Sequence, residues 1–551
     1  MCGIFLYLNE AEQFDIMNVL QQFMKIQHRG PDHSQIFIEK NMVMGFHRLA
    51  INDLSYDGNQ PMYMHDTVLI CNGEIYNFKE LNESFGLKCS SHSDCETIIK
   101  LYYHLNEKYD NDIETVMFDL CNNLDGEFAF IIYDSKNNKI IAARDNLGTR
   151  PLFIGFDQNT KKIAFASELK AIDTLFPENS SQFKPSTFMI IDTKTFEFSV
   201  KKYNVISEAY LENMMETNLE IILPTIRNLL IKAVEKRVTT TDRPLCCLLS
   251  GGLDSSLICG IISKYFLKEG HKLNTFSIGM KGSTDLKYAK KVADFIKSEH
   301  HEVLVTKEQM LDSIEEVIRI TETWDVTTIR ASVVNYLVAK YIKDNSNCIV
   351  TMSGELSDEG GGGGGYIYLK KAPDANAFHN ECNRLLEEVY YFDNLRADRC
   401  ISSNGLEVRF PFSDKHLIKY FQSIDPKLRM CNDKVEKFLL RKAFENENVL
   451  PLEIINRPKA AFSDACSSEE ESWYKIIQNH VDTLISDESL LEASKHFKHN
   501  TPKTKEALYY RQIFRKFYQN DAIIPHLWLP KWCGDTNEPS ARAIDIYIPE
   551  N

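Results

Sequence analysis

The sequence predicts two fold classes in one chain: an α+β layered first part and an α/β second part on a parallel sheet, with a helical C-terminal region. Three observations carry this. Up to about residue 200, short β-branched and aromatic runs alternate with Gly, Asn and Asp turns. From Ile221 onward, long helical periodicities alternate with short, very apolar strands. After about residue 380 the pattern is almost entirely helical.

In the first part, Val43–Ile51, Thr67–Cys71, Glu127–Tyr133, Lys139–Ala143, Lys162–Ser167 and Thr187–Ile191 read as strands. Asp15–Ile26 and Cys95–Asn106 carry apolar residues at three-to-four spacing and read as helices. Periodicity fades in YNVISEAYLENMMETNLE, a linker that divides the chain into domains 2–204 and 220–551. In the second part Leu245–Leu249, Asn274–Ile278 and Cys348–Met352 are apolar throughout, as strands buried on both faces must be. Gly360–Gly365, six glycines in a row, is the low-complexity segment and reads as a flexible loop.

Composition narrows the function. The 551 residues carry a net charge of −15 with 26% charged and 43% hydrophobic residues, an ordinary globular balance. The acidic excess argues against a nucleic-acid partner. No run approaches a membrane span and the N-terminus lacks a basic leader, so a cytoplasmic protein without a membrane partner is expected. Fourteen cysteines form no C-x-x-C pair, which disfavours a zinc or redox motif.

One cysteine stands at position 2, where removal of Met1 would leave a thiol and an α-amine on the same residue. An amine titrating near pH 8 can act as base to its own thiol, the device of N-terminal-nucleophile enzymes. Position alone favours the plainer reading, a buried core cysteine opening a strand. Other segments shift the balance. HRGPD (residues 28–32) is a tight polar turn, Arg48 can clamp a carboxylate, and Asn72-Gly73 leaves a strand where an amide and a backbone N–H can meet an oxyanion. Glu74 and Asp94 can hold an ammonium. The set suits a zwitterionic amino acid with a cleavable amide, such as glutamine.

A second constellation follows the strand ending at Leu249. Ser250-Gly251-Gly252-Leu253-Asp254-Ser255-Ser256 is a glycine turn opening a helix, whose free N–H groups receive phosphate; it lacks the Walker lysine. A second strand end runs into Ser353-Gly354-Glu355-Leu356-Ser357-Asp358. Ligands of open parallel sheets collect at the strands' carboxyl ends, so both turns should face one ATP pocket. Asp254 and Asp358 suit Mg²⁺, and Glu355 suits a base. Lys434, Lys437, Arg441, Lys442 and Arg457 read as solvated helix charges, Lys459 as a pocket residue. Thr327, Thr328 and Arg330 offer hydroxyls and a guanidinium for pyrophosphate or carboxylate.

These segments, with MCGIF at the start, LRADR, WLPKW and PSAR, run in order along nearly the whole chain. In that order the sequence resembles the glutamine-hydrolysing asparagine synthetases, the animal type above all in NTPKTKEALYYRQIF and PSAR. The resemblance implies an αββα N-terminal-nucleophile glutaminase domain and an ATP-pyrophosphatase synthetase domain joined by an ammonia tunnel, and a homodimer. It implies Cys2 as nucleophile, Asn72 and Gly73 as oxyanion hole, and Arg48, Glu74 and Asp94 as glutamine ligands. Leu249, Ser250, Ser277 and Gly354 would contact the nucleotide, and Asp254 and Asp358 would hold Mg²⁺. Aspartate would be adenylated at its β-carboxylate, ammonia would displace AMP with Glu355 as base, and Thr327, Thr328, Arg330 and Lys459 would meet pyrophosphate and the intermediate.

The sequence departs from that pattern at five places. Leu356 replaces a glycine beside Glu355, at a cost of roughly 1 kcal/mol or more if the backbone there is left-handed. The glycine run replaces a shorter loop, His92 replaces a small residue and should crowd the glutamine pocket, and Ala460 and Ala465 replace an acidic residue and a glycine. Two other functions fit the scaffold: a related adenylating amidotransferase, whose members typically lack the N-terminal cysteine, and a weakly active regulatory relative.

Overall fold

A computed structural model describes residues 1–11, 14–204, 216–431, 435–459, 462–467 and 471–543. Most of the expected linker, Lys434 and Ala460 lie outside them.

The opening MCGIFLYLN alternates apolar residues on both faces, and the strand it forms is buried on both. Gly3–Asn9 lies between Met42–Arg48 and Lys162–Ala166, antiparallel to each. Its sheet continues through Phe153–Asp157 to Ser180–Gln182 on one side and ends at His33–Glu39 on the other. A second six-stranded antiparallel sheet runs Phe198–Lys202, Thr187–Asp192, Lys139–Arg144, Gly126–Asp134, Thr67–Ile75, Met62–Met64. Strand side chains alternate with period two. Ile4, Leu6 and Leu8 therefore face the second sheet's Ile70, Ile131 and Ile140, while Phe5 and Tyr7 face Val19 and Phe23 of the helix Ile16–Met24. On the far side Ile98, Leu101 and Leu105 of the helix Glu96–Lys108 cover Phe128 and Phe130. The result is helix, sheet, sheet, helix, as expected. Each fully buried side chain of this size contributes roughly 1.5–3 kcal/mol.

The second part holds a five-stranded parallel sheet in the order Glu299–Leu304, Asn274–Gly279, Leu245–Leu248, Val350–Met352, Glu407–Arg409. Leu245–Leu248 sits centrally, which explains its lack of polar side chains. The fifth strand is the exception in the almost entirely helical end. Glu-Val-Arg is too short and too charged to read as a strand; neighbouring Val350–Met352 supplies its pairing and buried arginines its charge balance.

The glycine run also differs from expectation. Instead of a loose loop, residues 360–365 fold into a packed turn. Gly363 and Gly364 have φ of 94° and 90°. A Cβ on Gly365 would stand 2.0 Å from Asp358 Oδ1 and 2.1 Å from Lys437 Cε. Close approach, not flexibility, demands glycine there. Leu356 is left-handed, with φ 71°, so the conditional cost applies, and its side chain is buried in the core. Among the described residues no helix is long and apolar enough to cross a membrane.

Candidate active sites

Cys2 immediately precedes the first strand and is half-buried, its thiol 3.6 Å from the Leu49 carbonyl oxygen. Met1 is still attached, and its ammonium donates to the Leu406 carbonyl. In this form burial pushes the Cys2 thiol up to about 11, and burial lowers the Met1 amine to about 6. Arg29 of HRGPD holds the Cys2 backbone: its Nε donates to the Cys2 carbonyl at 2.9 Å. Gly30 beside it is obligatory, since a Cβ would meet the His47 carbonyl oxygen at 2.2 Å.

Asn72 and Gly73 lie on the strand Thr67–Ile75. The Asn72 amide Nδ2 is buried and has no hydrogen-bond partner. A buried donor left unpaired is costly unless a ligand completes it. Gly73 has no room for a side chain, because a Cβ would stand 2.4 Å from the Glu127 carbonyl oxygen.

Glu74 and Asp94 converge as expected, but through a residue the sequence did not flag. Asn52 Nδ2 donates to Glu74 Oε2 at 2.6 Å and to Asp94 Oδ1 at 3.2 Å. Asp94 Oδ2 also accepts the Ile75 N–H at 2.6 Å. Burial pushes Asp94 up to about 6; burial, Glu407 and Asp94 raise Glu74 well above the usual carboxylate range. Arg409, on the short fifth strand of the other sheet, reaches Glu74 Oε2 at 3.0 Å.

Arg48 differs from the open clamp expected of it. Its Nη1 donates to the Ser55 carbonyl and to Asn59 Oδ1, both at 2.7 Å, and its Nη2 to the Asp53 carbonyl. The guanidinium thus organises residues 52–59, the loop that delivers Asn52. His92 does not crowd the pocket: its side chain is exposed, and its backbone N–H donates to Asp53 Oδ2 at 2.9 Å.

The two turns of the parallel sheet face one cavity, as anticipated. Leu249, Ser250, Gly252, Asp254, Ser255, Ser277, Ser353, Gly354, Glu355, Asp358 and Lys459 line it. Gly251 does not. It has φ 75°, and a Cβ there would strike Ala289 N at 2.4 Å, so it serves the packing of the turn against the next helix. Lys437, read as a solvated charge, is instead buried at the centre, 2.6 Å from Asp254 Oδ1 and from Asp358 Oδ1. Lys459 reaches Asp358 Oδ2 at 2.5 Å. Burial alone would raise the Asp358 carboxyl, but the two ammonium groups hold it well below the usual range. Arg441 and Arg457 are likewise buried in the cavity wall, while Lys442 is exposed as read.

Thr327, Thr328 and Arg330 do not line this cavity. Thr328 and Asp325 cap the helix Val326–Asn345. Arg330 forks onto Glu506 at 2.8 and 2.6 Å and pairs with Glu538 at 2.5 Å, so two carboxylates already neutralise it. Glu355 is paired with a residue of the LRADR segment: Arg396 Nη1 and Nη2 donate to its two oxygens at 2.9 and 2.8 Å.

A cysteine-first antiparallel sandwich joined to a parallel sheet with a phosphate-type turn defines a glutamine amidotransferase coupled to an ATP-using synthetase. The family model described as glutamine amidotransferase domain matches residues 1–209, and that described as asparagine synthase matches 225–380 and 369–532. The chain is 40% identical to the glutamine-hydrolysing asparagine synthetases of Cricetulus griseus and Homo sapiens, covering 99% of this chain and 99% of each relative. It is also 40% identical to a probable asparagine synthetase of Acanthamoeba polyphaga mimivirus, covering 99% of this chain and 100% of the relative. The chain belongs to the family of glutamine-hydrolysing asparagine synthetases.

Proposed function

We propose that the chain makes asparagine from aspartate, taking nitrogen from glutamine and consuming ATP to AMP and pyrophosphate. The observation that carries this reading is the pairing of two chemically distinct centres in one chain: an orphaned buried amide donor, Asn72, in the cysteine-first domain, and an anion-ready cavity with two lysines and two aspartates in the other.

With Met1 removed, the Cys2 amine takes the thiol proton and the thiolate attacks the glutamine side-chain carbonyl. Asn72 Nδ2 and the Gly73 N–H receive the oxyanion. Glutamine's ammonium competes with the Asn52 amide for Glu74 and Asp94. The Cys2 ammonium returns its proton to the amide nitrogen, ammonia leaves as the C–N bond breaks, and water cleaves the thioester to glutamate and the free thiol. In the second centre aspartate's β-carboxylate attacks the α-phosphorus of ATP and pyrophosphate leaves. Ammonia attacks the acyl adenylate, its proton passes to Glu355, and AMP departs. Thr328 supports this centre by capping the helix, Arg330 through its ion pairs, and Thr327 by donating to the Trp528 carbonyl at 3.4 Å.

Mg²⁺ fits the donor set. Among the described residues no group of three or more His, Cys, Asp or Glu forms a cage, and Mg²⁺ prefers one or two carboxylates with phosphate oxygens. Asp254 and Asp358 would hold it once the phosphates engage Lys437 and Lys459; it would neutralise charge on the departing pyrophosphate. The cytoplasm is the compartment this reading favours: thiols stay reduced there, and among the described residues no two cysteines are joined by a disulfide.

Product analysis with glutamine, aspartate and Mg-ATP tests the reading. Asparagine, AMP and pyrophosphate are expected in equal amounts; ADP would exclude the adenylating route. Cys2→Ala should stop glutamine-driven synthesis and spare ammonia-driven synthesis, whereas equal loss of both would refute the two-centre scheme.

A further inference from the structure

Glu355 sits on the turn after Val350–Met352, its backbone N–H donating to Ser353 Oγ at 3.3 Å. A glutamate on a turn has three free side-chain torsions, so something must aim its carboxylate. The fork from Arg396 does so, and Arg396 Nη2 donates also to Asp393 Oδ1 at 2.7 Å, three residues back on the helix Asp393–Ser402. The Arg396 side chain is 5% exposed and that of Glu355 23%. The guanidinium therefore lies behind the carboxylate, whose open side belongs to the cavity wall. Asp393 is fixed in turn by the Tyr366 hydroxyl, 3.5 Å from its Oδ2; that hydroxyl donates to Glu359 at 2.6 Å.

We propose that Arg396 is the positioning residue for Glu355, with Asp393 as the second carboxylate that keeps its guanidinium plane fixed. This deepens the proposed function and rests on Glu355 as proton acceptor. The charge count explains why two carboxylates share one guanidinium. With both ionised the trio carries one net negative charge. When ammonia's lone pair forms the C–N bond, AMP leaves with the C–O electron pair and a nitrogen proton moves to Glu355. Arg396 keeps all its protons, and the Arg396–Asp393 pair remains neutral. Glu355 is thus released from its fork without stranding a buried cation. A lysine would supply the charge but not the planar two-point grip.

The test uses the full-length protein and separates three activities: glutaminase, aspartate-dependent ATP–pyrophosphate exchange, and ammonia-driven asparagine formation. Arg396→Gln should leave glutaminase, exchange and the KM values for ATP and aspartate within about twofold, and cut ammonia-driven kcat by about tenfold or more, the usual effect of removing an orienting partner. Arg396→Lys should fall between. Should R396Q fold poorly, Asp393→Asn provides the second variant, with a smaller loss of the same kind. R396Q in an E355Q background should cost nothing further, because both changes remove one unit. Normal asparagine formation by R396Q beside an inactive E355Q would overturn the inference alone. So would additive losses in the double variant, or loss of exchange. Full activity of E355Q would overturn the base reading and this inference with it.

Discussion

Arg29 and Asp398, 369 residues apart in sequence, form a buried two-point ion pair, Nη1 to Oδ1 at 2.8 Å and Nη2 to Oδ2 at 3.1 Å. The same guanidinium holds the Cys2 carbonyl, and the same helix, Asp393–Ser402, carries Arg396 onto Glu355. One helix thus touches the residues that orient both reacting centres.

Asp398→Asn keeps the shape and removes the charge. Removing one partner of a buried pair costs on the order of 3–5 kcal/mol, reduced here because Glu168 also accepts from Arg29 at 2.8 Å. Glutaminase kcat/KM should fall about tenfold or more as the Cys2 backbone loosens, with ammonia-driven synthesis less affected. Glutamate release assayed beside ammonia-driven turnover measures this; equal losses would mean that the pair supports folding alone.

Leu356 sets two effects against each other. Its left-handed backbone costs roughly 1 kcal/mol. Its side chain, 1% exposed, contributes more: truncating a buried leucine typically costs about 2–5 kcal/mol. Leu356→Gly should therefore lower Tm, and relief of strain should not raise synthetase turnover. A higher melting temperature in calorimetry would show that strain outweighs burial here.

The raised carboxyls at Glu74 and Asp94 give the glutamine pocket a pH dependence. A carboxyl whose folded-state pKa exceeds its unfolded value favours the fold while protonated. Asp94's contribution is full below about pH 4 and lost as pH rises towards about 6, a change worth roughly 3 kcal/mol. Glutamine's ammonium demands the ionised form. KM for glutamine should thus fall as pH rises through 6, and Asp94→Asn should flatten that profile. A wild-type KM constant between pH 5 and 7.5 would exclude the pair from ammonium binding.

Gly365 has no room for even a methyl group between Asp358 and Lys437. Gly365→Ala should separate that pair and reduce ATP–pyrophosphate exchange at least tenfold with glutaminase intact. Unimpaired exchange would mean the turn moves aside freely.

Much of this was legible because the informative signals are local. The β-branched runs Thr67–Cys71 and Lys139–Ala143, the apolar run Leu245–Leu249 and the SGGLDSS turn depend on neighbours within a few residues, and their structures follow. A charged side chain is not legible where its deciding partner is distant in sequence. Lys437 reads as a solvated helix charge until Asp254 and Asp358 surround it, and Arg330 reads as an anion ligand until Glu506 and Glu538 claim it. The glycine run looked flexible because glycine's freedom is a local property, whereas its need for close approach is set by Asp358 and Lys437.

By itself the sequence determined the two kinds of chemistry, since a thiol at position 2 and a glycine turn between strand and helix owe their reactivity to covalent structure and local backbone geometry. Only the tertiary structure decided which charges serve them. Arg29, Arg396, Arg409 and Lys437 owe their roles to burial beside carboxylates far away in sequence. Coulomb interaction strengthens as water is excluded, so a charge acquires its function from the fold around it.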